Sequence, residues 1–196
     1  MTKENIMEES LTLFANQGYE NTTLANIADA VGIKKPSIYN HFDNKEAIFL
    51  SVLYHVAERE SDYLISETSL SKDHTIAERL KHLYCTYLDH MSNSTEGMFF
   101  KRVTFFPPED FSDDIQEVFL MIEKTLTDIL VPILEQGIKE KVIRPLPTEQ
   151  LTSAFYTLTN GLFLEENFYD KEVFHKRQEA SWEVFWLGVQ CPGKEE

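Results

Sequence analysis

Apolar residues recur every three or four positions along most of the chain, the periodicity of α-helices that bury one face. The pattern predicts helices near 3–17, 24–31, 36–42 and 44–64. A polar break over 66–74 (SETSLSKDH) is followed by predicted helices near 75–92 and 96–105, the second ended by Pro107 and Pro108. The next long segment, 109–141, contains Pro132, which should kink it or split it. A stop at Ile143-Arg-Pro-Leu-Pro147 precedes two final helices near 148–167 and 171–190, then a polar tail. With 7 Gly and 7 Pro in 196 residues and helical periodicity throughout, the fold class is all-α.

Residues Thr22 to Phe42, TTLANIADAVGIKKPSIYNHF, carry a more specific pattern. Ile27, Ala28, Val31, Ile33 and Ile38 fall where two crossed helices bury side chains, and Ala28 is small where the helices approach most closely. Gly32 sits at the turn between them, where a positive φ would strain any residue with a Cβ. This is the spacing of a helix-turn-helix, whose second helix lies in the major groove of DNA. Pro36 biases Lys35 away from helical angles, so the second helix is expected to begin at Pro36 with Lys35 as its cap.

Charge complicates that reading. The chain carries a formal −15. Residues 1–60 hold five cations (Lys3, Lys34, Lys35, Lys45, Arg59) against nine anions, a net of −4, leaving −11 for residues 61–196. A nucleic-acid module is usually basic. Here Lys34, Lys35 and Lys45 flank the second helix, and screening over about 8–10 Å makes the local field count for more than the sum. Weak non-specific affinity follows, which favours a binder of one specific DNA site over a general coater of DNA.

Residues 6–53 resemble the DNA-binding domain of the TetR/AcrR family of bacterial transcription regulators. The matching residues are Ile6, LF-A-x-x-G-Y ending at Tyr19, Thr22-Thr23, Ile27-Ala28, Gly32-Ile33 and Y-x-H-F-x-x-K-E over Tyr39–Glu46. The resemblance implies a three-helix helix-turn-helix domain over 1–46 and a larger helical ligand-binding and dimerisation domain over 47–196. It implies a homodimeric repressor that binds a palindromic double-stranded DNA operator and is released by a small-molecule effector. Lys35, Ser37 and Asn40 are the candidates for base edges. Tyr39 and His41 are phosphate contacts in similar proteins. Thr23 opens a helix whose free N–H groups suit a phosphate, and Lys34 and Lys45 add charge there. Similar proteins often carry Ser or Thr where this chain has Lys34, which gives up a capping hydroxyl. Each of these residues has a structural alternative: Thr23 as a helix cap, Tyr39 and His41 as packing, the lysines as solvated charges.

The effector would be apolar or aromatic, with Tyr84, Tyr87, Met91, Met98, Phe99, Phe105, Phe119 and Met121 as candidate walls, although aromatic and Met clusters at helical spacing are more often plain core. The last two helices hold more apolar surface than one core-facing stripe needs. Leu151, Phe155, Leu158 and Leu162 with Phe174, Trp182, Phe185 and Val189 are therefore expected to meet a symmetry mate in a four-helix bundle. His82, Cys85 and Asp89 share a helix face and could ligate a metal, but three ligands without a fourth make a weak pattern and no metal is assigned. Cys85 and Cys191 show no disulfide framework. No apolar run approaches the roughly 20 residues that cross a bilayer, and the polar N-terminus is unlike a signal peptide, so a cytoplasmic protein is expected. No GxSxG, glycine-rich phosphate loop or His-Glu-x-x-His motif is found, so neither enzyme nor cofactor is expected. The competing class is a ligand- or protein-binding helical dimer that has lost DNA binding.

Overall fold

The computed structural model describes residues 2–68 and 74–193. They form nine α-helices: α1 (Lys3–Asn21), α2 (Leu24–Val31), α3 (Lys35–Ile38), α4 (Lys45–Thr68), α5 (Ile76–Asn93), α6 (Thr95–Phe105), α7 (Ser112–Lys139), α8 (Thr148–Glu165) and α9 (Lys171–Val189). The all-α class holds throughout the described residues. Helix starts follow local chemistry. Thr75 and Glu78 form a reciprocal capping box before α5, and the Thr75 N–H holds the Glu78 carboxyl below its ordinary range. Ser94 and Asp170 cap α6 and α9 by accepting from Gly97 N–H and Val173 N–H, each at 2.9 Å.

Several boundaries differ from the periodicity reading; α1 runs on to Asn21, although Gly18, at φ 82° and ψ 168°, breaks its helical course after residue 17. The second helix of the helix-turn-helix begins at Lys35, not Pro36, with Lys34 in the cap position and Pro36 tolerated in the first turn, where its missing N–H has no partner to lose. That helix closes at Ile38, and residues 39–41 continue as turns. α7 is not split: Pro132 lies within it. Part of the predicted 66–74 loop belongs to α4, and residues 69–73 lie outside the described residues.

By contact the chain divides into two compact units, 1–62 with 93–123 and 63–92 with 124–196. In the first, α1 packs on α2 and most extensively on α6, and α2 packs on α3. Its centre is a cluster of aromatic rings. Phe49 lies 4.6 Å from Phe111, 4.9 Å from Tyr19, 5.4 Å from Phe14 and 5.9 Å from Phe99, centroid to centroid. Each such pair adds about 0.5–1.5 kcal/mol beyond the area it buries. Tyr54 donates toward Asp114 and Glu117 at 3.2 and 3.0 Å; burial and these bonds push its hydroxyl up to about 12.

In the second unit α8 and α9 pack together. Tyr84 lies 5.3 Å from Trp182 and 6.3 Å from Phe155, and Phe185 is 5.9 Å from each of Phe155 and Trp182. Tyr84 is fully buried, its hydroxyl donates to Gln178 O at 2.8 Å, and burial raises its pKa. Tyr84→Phe should lower unfolding stability by about 1 kcal/mol, the net worth of one buried hydrogen bond, read as a shift of the urea midpoint. The connection after α7 meets the end of α9 in a β-bridge between Ile143 and Gln190, flanked by Arg144 N–H to Val189 O and Cys191 N–H to Val142 O, both 2.8 Å.

Candidate nucleic-acid interface

Between α2 and α3 the chain turns at Gly32, whose φ of 76° and ψ of 34° are left-handed. Its N–H and that of Ile33 return to the end of α2, at Asp29 O (3.1 Å) and Ala28 O (2.8 Å). From there the backbone makes one short helix and a run of turns, with Ser37 N–H to Lys34 O at 2.8 Å, His41 N–H to Ile38 O at 2.9 Å and Phe42 N–H to Ile38 O at 3.0 Å. Only Ile38 and Phe42 of this stretch are buried, four residues apart as one helical face requires. Lys35, Pro36, Asn40 and His41 are exposed, Ser37 is half-buried and Tyr39 is 52% exposed. Two apolar anchors thus hold a rim of polar and aromatic side chains outward.

The flanking residues are held in specific ways. Thr23 forms a capping box with Asn26: its Oγ1 accepts from Asn26 N–H at 3.2 Å while Asn26 Oδ1 accepts from Thr23 N–H at 3.0 Å and from the Thr23 hydroxyl at 2.6 Å. The hydroxyl proton is therefore spent within the cap, and the anion-seeking groups at this end of α2 are its free N–H groups. Lys45 Nζ donates to Tyr19 O at 2.8 Å and stands 3.9 Å from the centre of the Tyr19 ring, which leaves two of its three N–H groups unspent. Lys34 and Lys35 are exposed. Arg59, the remaining cation named by charge counting besides Lys3, bridges Glu8 and Glu96 at 2.7 Å each and is neutralised there.

The sequence reading counted Lys3 only as a charge; in the structure this residue, in the first turn of α1, places its ammonium 5.0 Å from the centre of the Phe42 ring. Nothing in the sequence could signal this, because the contact joins the start of α1 to the end of the turn after α3.

The other candidate residues are distributed between the two units. Met98, Phe99, Phe105, Phe119 and Met121 belong to the first; Tyr84, Tyr87 and Met91 belong to the second and are buried. Phe99 is fully buried against Phe14 and Phe49, Phe119 stacks on Phe100 at 6.3 Å, Phe105 and Met121 are half-buried, and Met98 is exposed. Of the α8–α9 set, Leu151, Phe155, Leu162, Phe174, Trp182 and Val189 are buried within the chain itself. Leu158 and Phe185 are half-exposed and line an outward groove with Ala154, Thr157, Ala180 and Val184. Val184 and Leu187, absent from the sequence-based set, are 72% and 61% exposed on the same helix. Among the described residues no group of three or more His, Cys, Asp and Glu side chains is arranged to hold a metal ion. Cys85 is half-buried, and burial and Asp89 push its thiol up. No described helix is long and apolar enough to cross a membrane.

A short helix behind a glycine turn that follows a longer helix is the geometry of a helix-turn-helix. Residues 6–52 match the family of bacterial regulatory proteins described as the tetR family. They are similar to the biofilm operon icaADBC HTH-type negative transcriptional regulator IcaR of Staphylococcus epidermidis, 49% identical over 47 residues, 24% of this chain and 25% of that protein. The chain thus matches about a quarter of the length of these curated relatives. Over almost the whole chain the fold is similar to a TetR-family transcriptional regulator of Cytophaga hutchinsonii, with a TM-score of 0.75, 20% identity and coverage of 98% and 96% of the two chains. It is also similar to FadR of Bacillus subtilis in complex with stearoyl-CoA, with a TM-score of 0.72, 17% identity and coverage of 96% and 100%. Residues 6–52 thus match the tetR-family model, and the chain as a whole shares the fold of these TetR-family structures.

Proposed function

We infer that this protein binds a palindromic DNA operator as a homodimer, represses transcription there, and is released by a small apolar or aromatic effector. The observation that carries the reading is the outward rim of Lys35, Ser37, Tyr39, Asn40 and His41 on the anchors Ile38 and Phe42. Lys35, Ser37 and Asn40 face base edges. Tyr39, His41, Lys34, Lys45 and the α2 terminus at Thr23 take phosphates. IcaR is by its description a negative regulator, and the FadR structure holds an acyl ligand; both support this reading by similarity.

A single head this small binds weakly, so two must be set one helical turn apart, about 34–36 Å. We assign that task to the outward face of α8 and α9, where Ala154 and Ala180 leave a groove beside the exposed Val184 and Leu187. A two-fold brings the same surface to itself, the self-complementary arrangement of an isologous interface. An effector that favours a shape with the wrong spacing lowers DNA affinity by its own differential affinity for that shape.

The direct test is a fluorescence-anisotropy titration against palindromic DNA upstream of the protein's own gene, with scrambled DNA as competitor at about 0.15 M salt, where phosphate-only binding is weak. Selective binding supports the reading; absence of binding even at low salt favours the helical dimer without DNA. The same assay checks the charge assignment. With Lys3, Lys34 and Lys45 each neutralising one phosphate in both copies, log affinity should fall against log salt with a slope no steeper than about −5. Lys3→Met should make that slope shallower by about 2, and an unchanged slope removes Lys3 from the contact set.

A further inference from the structure

In the first unit a half-open cavity of about 210 Å³ lies beside the C-terminal end of α1. Phe14, Phe49 and Phe99, all fully buried, lie behind it, half-buried Tyr19 forms its side, and Phe106, 79% exposed, its mouth with Pro107 and Pro108. One cation enters this aromatic space. Arg102 Nε donates to Ala15 O at 2.9 Å and its Nη2 to Asn16 O at 3.0 Å. Gly18 turns the chain beside the guanidinium at φ +82°, a conformation a side chain would strain, although a Cβ there would meet Arg102 Nη1 only at an ordinary 3.5 Å. Among the described residues no carboxylate pairs with Arg102; Glu20 lies on the cavity rim and is exposed.

The pattern of used and unused donors is specific. A guanidinium has five N–H groups in a rigid fork. The edge formed by Nε and Nη2 is taken by the two helix carbonyls. The opposite edge, formed by Nη1 and the second N–H of Nη2, has no protein acceptor. Two parallel N–H groups at that spacing are the bidentate partner of a carboxylate. An aromatic wall beside them suits a flat ring, and size limits it to one: a cavity of about 150 Å³ lined by apolar side chains holds benzene.

We propose that this cavity is a binding site for a monocyclic aromatic carboxylate, with Arg102 gripping the carboxylate on its free edge while its other edge stays on α1, and with Tyr19 and Phe106 receiving the ring. The site is separate from the DNA-facing rim, and its test involves no DNA, so its failure leaves operator binding by that rim standing.

The test is an isothermal titration of the full chain with benzoate, and with acetate and benzyl alcohol as probes that keep the charge or the ring alone. Benzoate should bind saturably at one site per chain, at least about tenfold more tightly than either probe, since charge-assisted bidentate bonds and ring burial must act together. Phe106→Ala should weaken benzoate about three- to tenfold with an unchanged melting temperature, because the ring it removes is exposed and only lines the mouth. Arg102→Lys, which keeps the charge but not the fork, should weaken it about tenfold or more. Benzoate binding no better than acetate overturns the site. So does parent-like benzoate binding in both Phe106→Ala and Arg102→Lys, which would put the ligand elsewhere in the protein.

Discussion

Replacing Lys35, Tyr39 and His41 together by alanine should abolish selective operator binding, with a loss of at least about a thousandfold. A good base contact is worth about 1–3 kcal/mol and a phosphate contact somewhat less, and a homodimer loses each twice. None of the three side chains is buried: Lys35 and His41 are exposed and Tyr39 is 52% exposed. Ile38 and Phe42, which hold the stretch in place, are untouched. The variant should therefore melt within about 2 °C of the parent, as surface changes away from core features do. Anisotropy for binding and circular dichroism for melting decide the matter together. Binding retained within tenfold would mean that another surface reads the DNA.

Charging the outward face of α8 and α9 should have an effect of similar size from the other end of the chain. In Val184→Glu/Leu187→Glu two carboxylates replace apolar groups that are 72% and 61% exposed in the single chain. Folding of the chain tolerates this. Association does not, because each charge would be desolvated without a partner in the apposed copy. Sedimentation at about 10 µM should show a dimer for the parent and a monomer for the variant, and obligate interfaces of this apolar kind lose most of their affinity to one such pair. Operator affinity should fall at least about a hundredfold although every residue of the reading helix is intact, because the two half-sites then bind independently. A variant that still sediments as a dimer would move the interface off this face.

The sequence made helices and their ends legible wherever local chemistry sets them. Pro107 and Pro108 stop α6, Asp170 opens α9, and Gly32 turns the chain between α2 and α3, all through interactions within a few residues. The start of α3 was off by one because Pro36 fits the second helical position as well as the first. Orientation was less legible. Leu151, Phe155 and Leu158 recur at equal helical spacing, yet the first two are buried in the chain's own core and the third borders the outward groove. Periodicity finds a stripe but does not say which of two stripes meets the chain itself. The aromatic residues of the middle helices posed the same problem: Tyr84 and Phe99 are both fully buried core groups with assigned neighbours. Least legible were Lys3 against Phe42 and Arg102 against Ala15, the latter spanning 87 residues. Neither leaves a local trace, because a long side chain on one helix meets the end of another only after both have packed.

The packing of α1 on α6 bears on how such a chain could acquire a new target. Residues 1–46 look like a cassette, yet Phe14 packs on Phe99, and Arg102 holds the carbonyls of Ala15 and Asn16. A graft of residues 1–46 alone would leave Phe99 and Arg102 without the α1 groups they hold, so an exchange that preserves these contacts has to carry 93–123 along with 1–62.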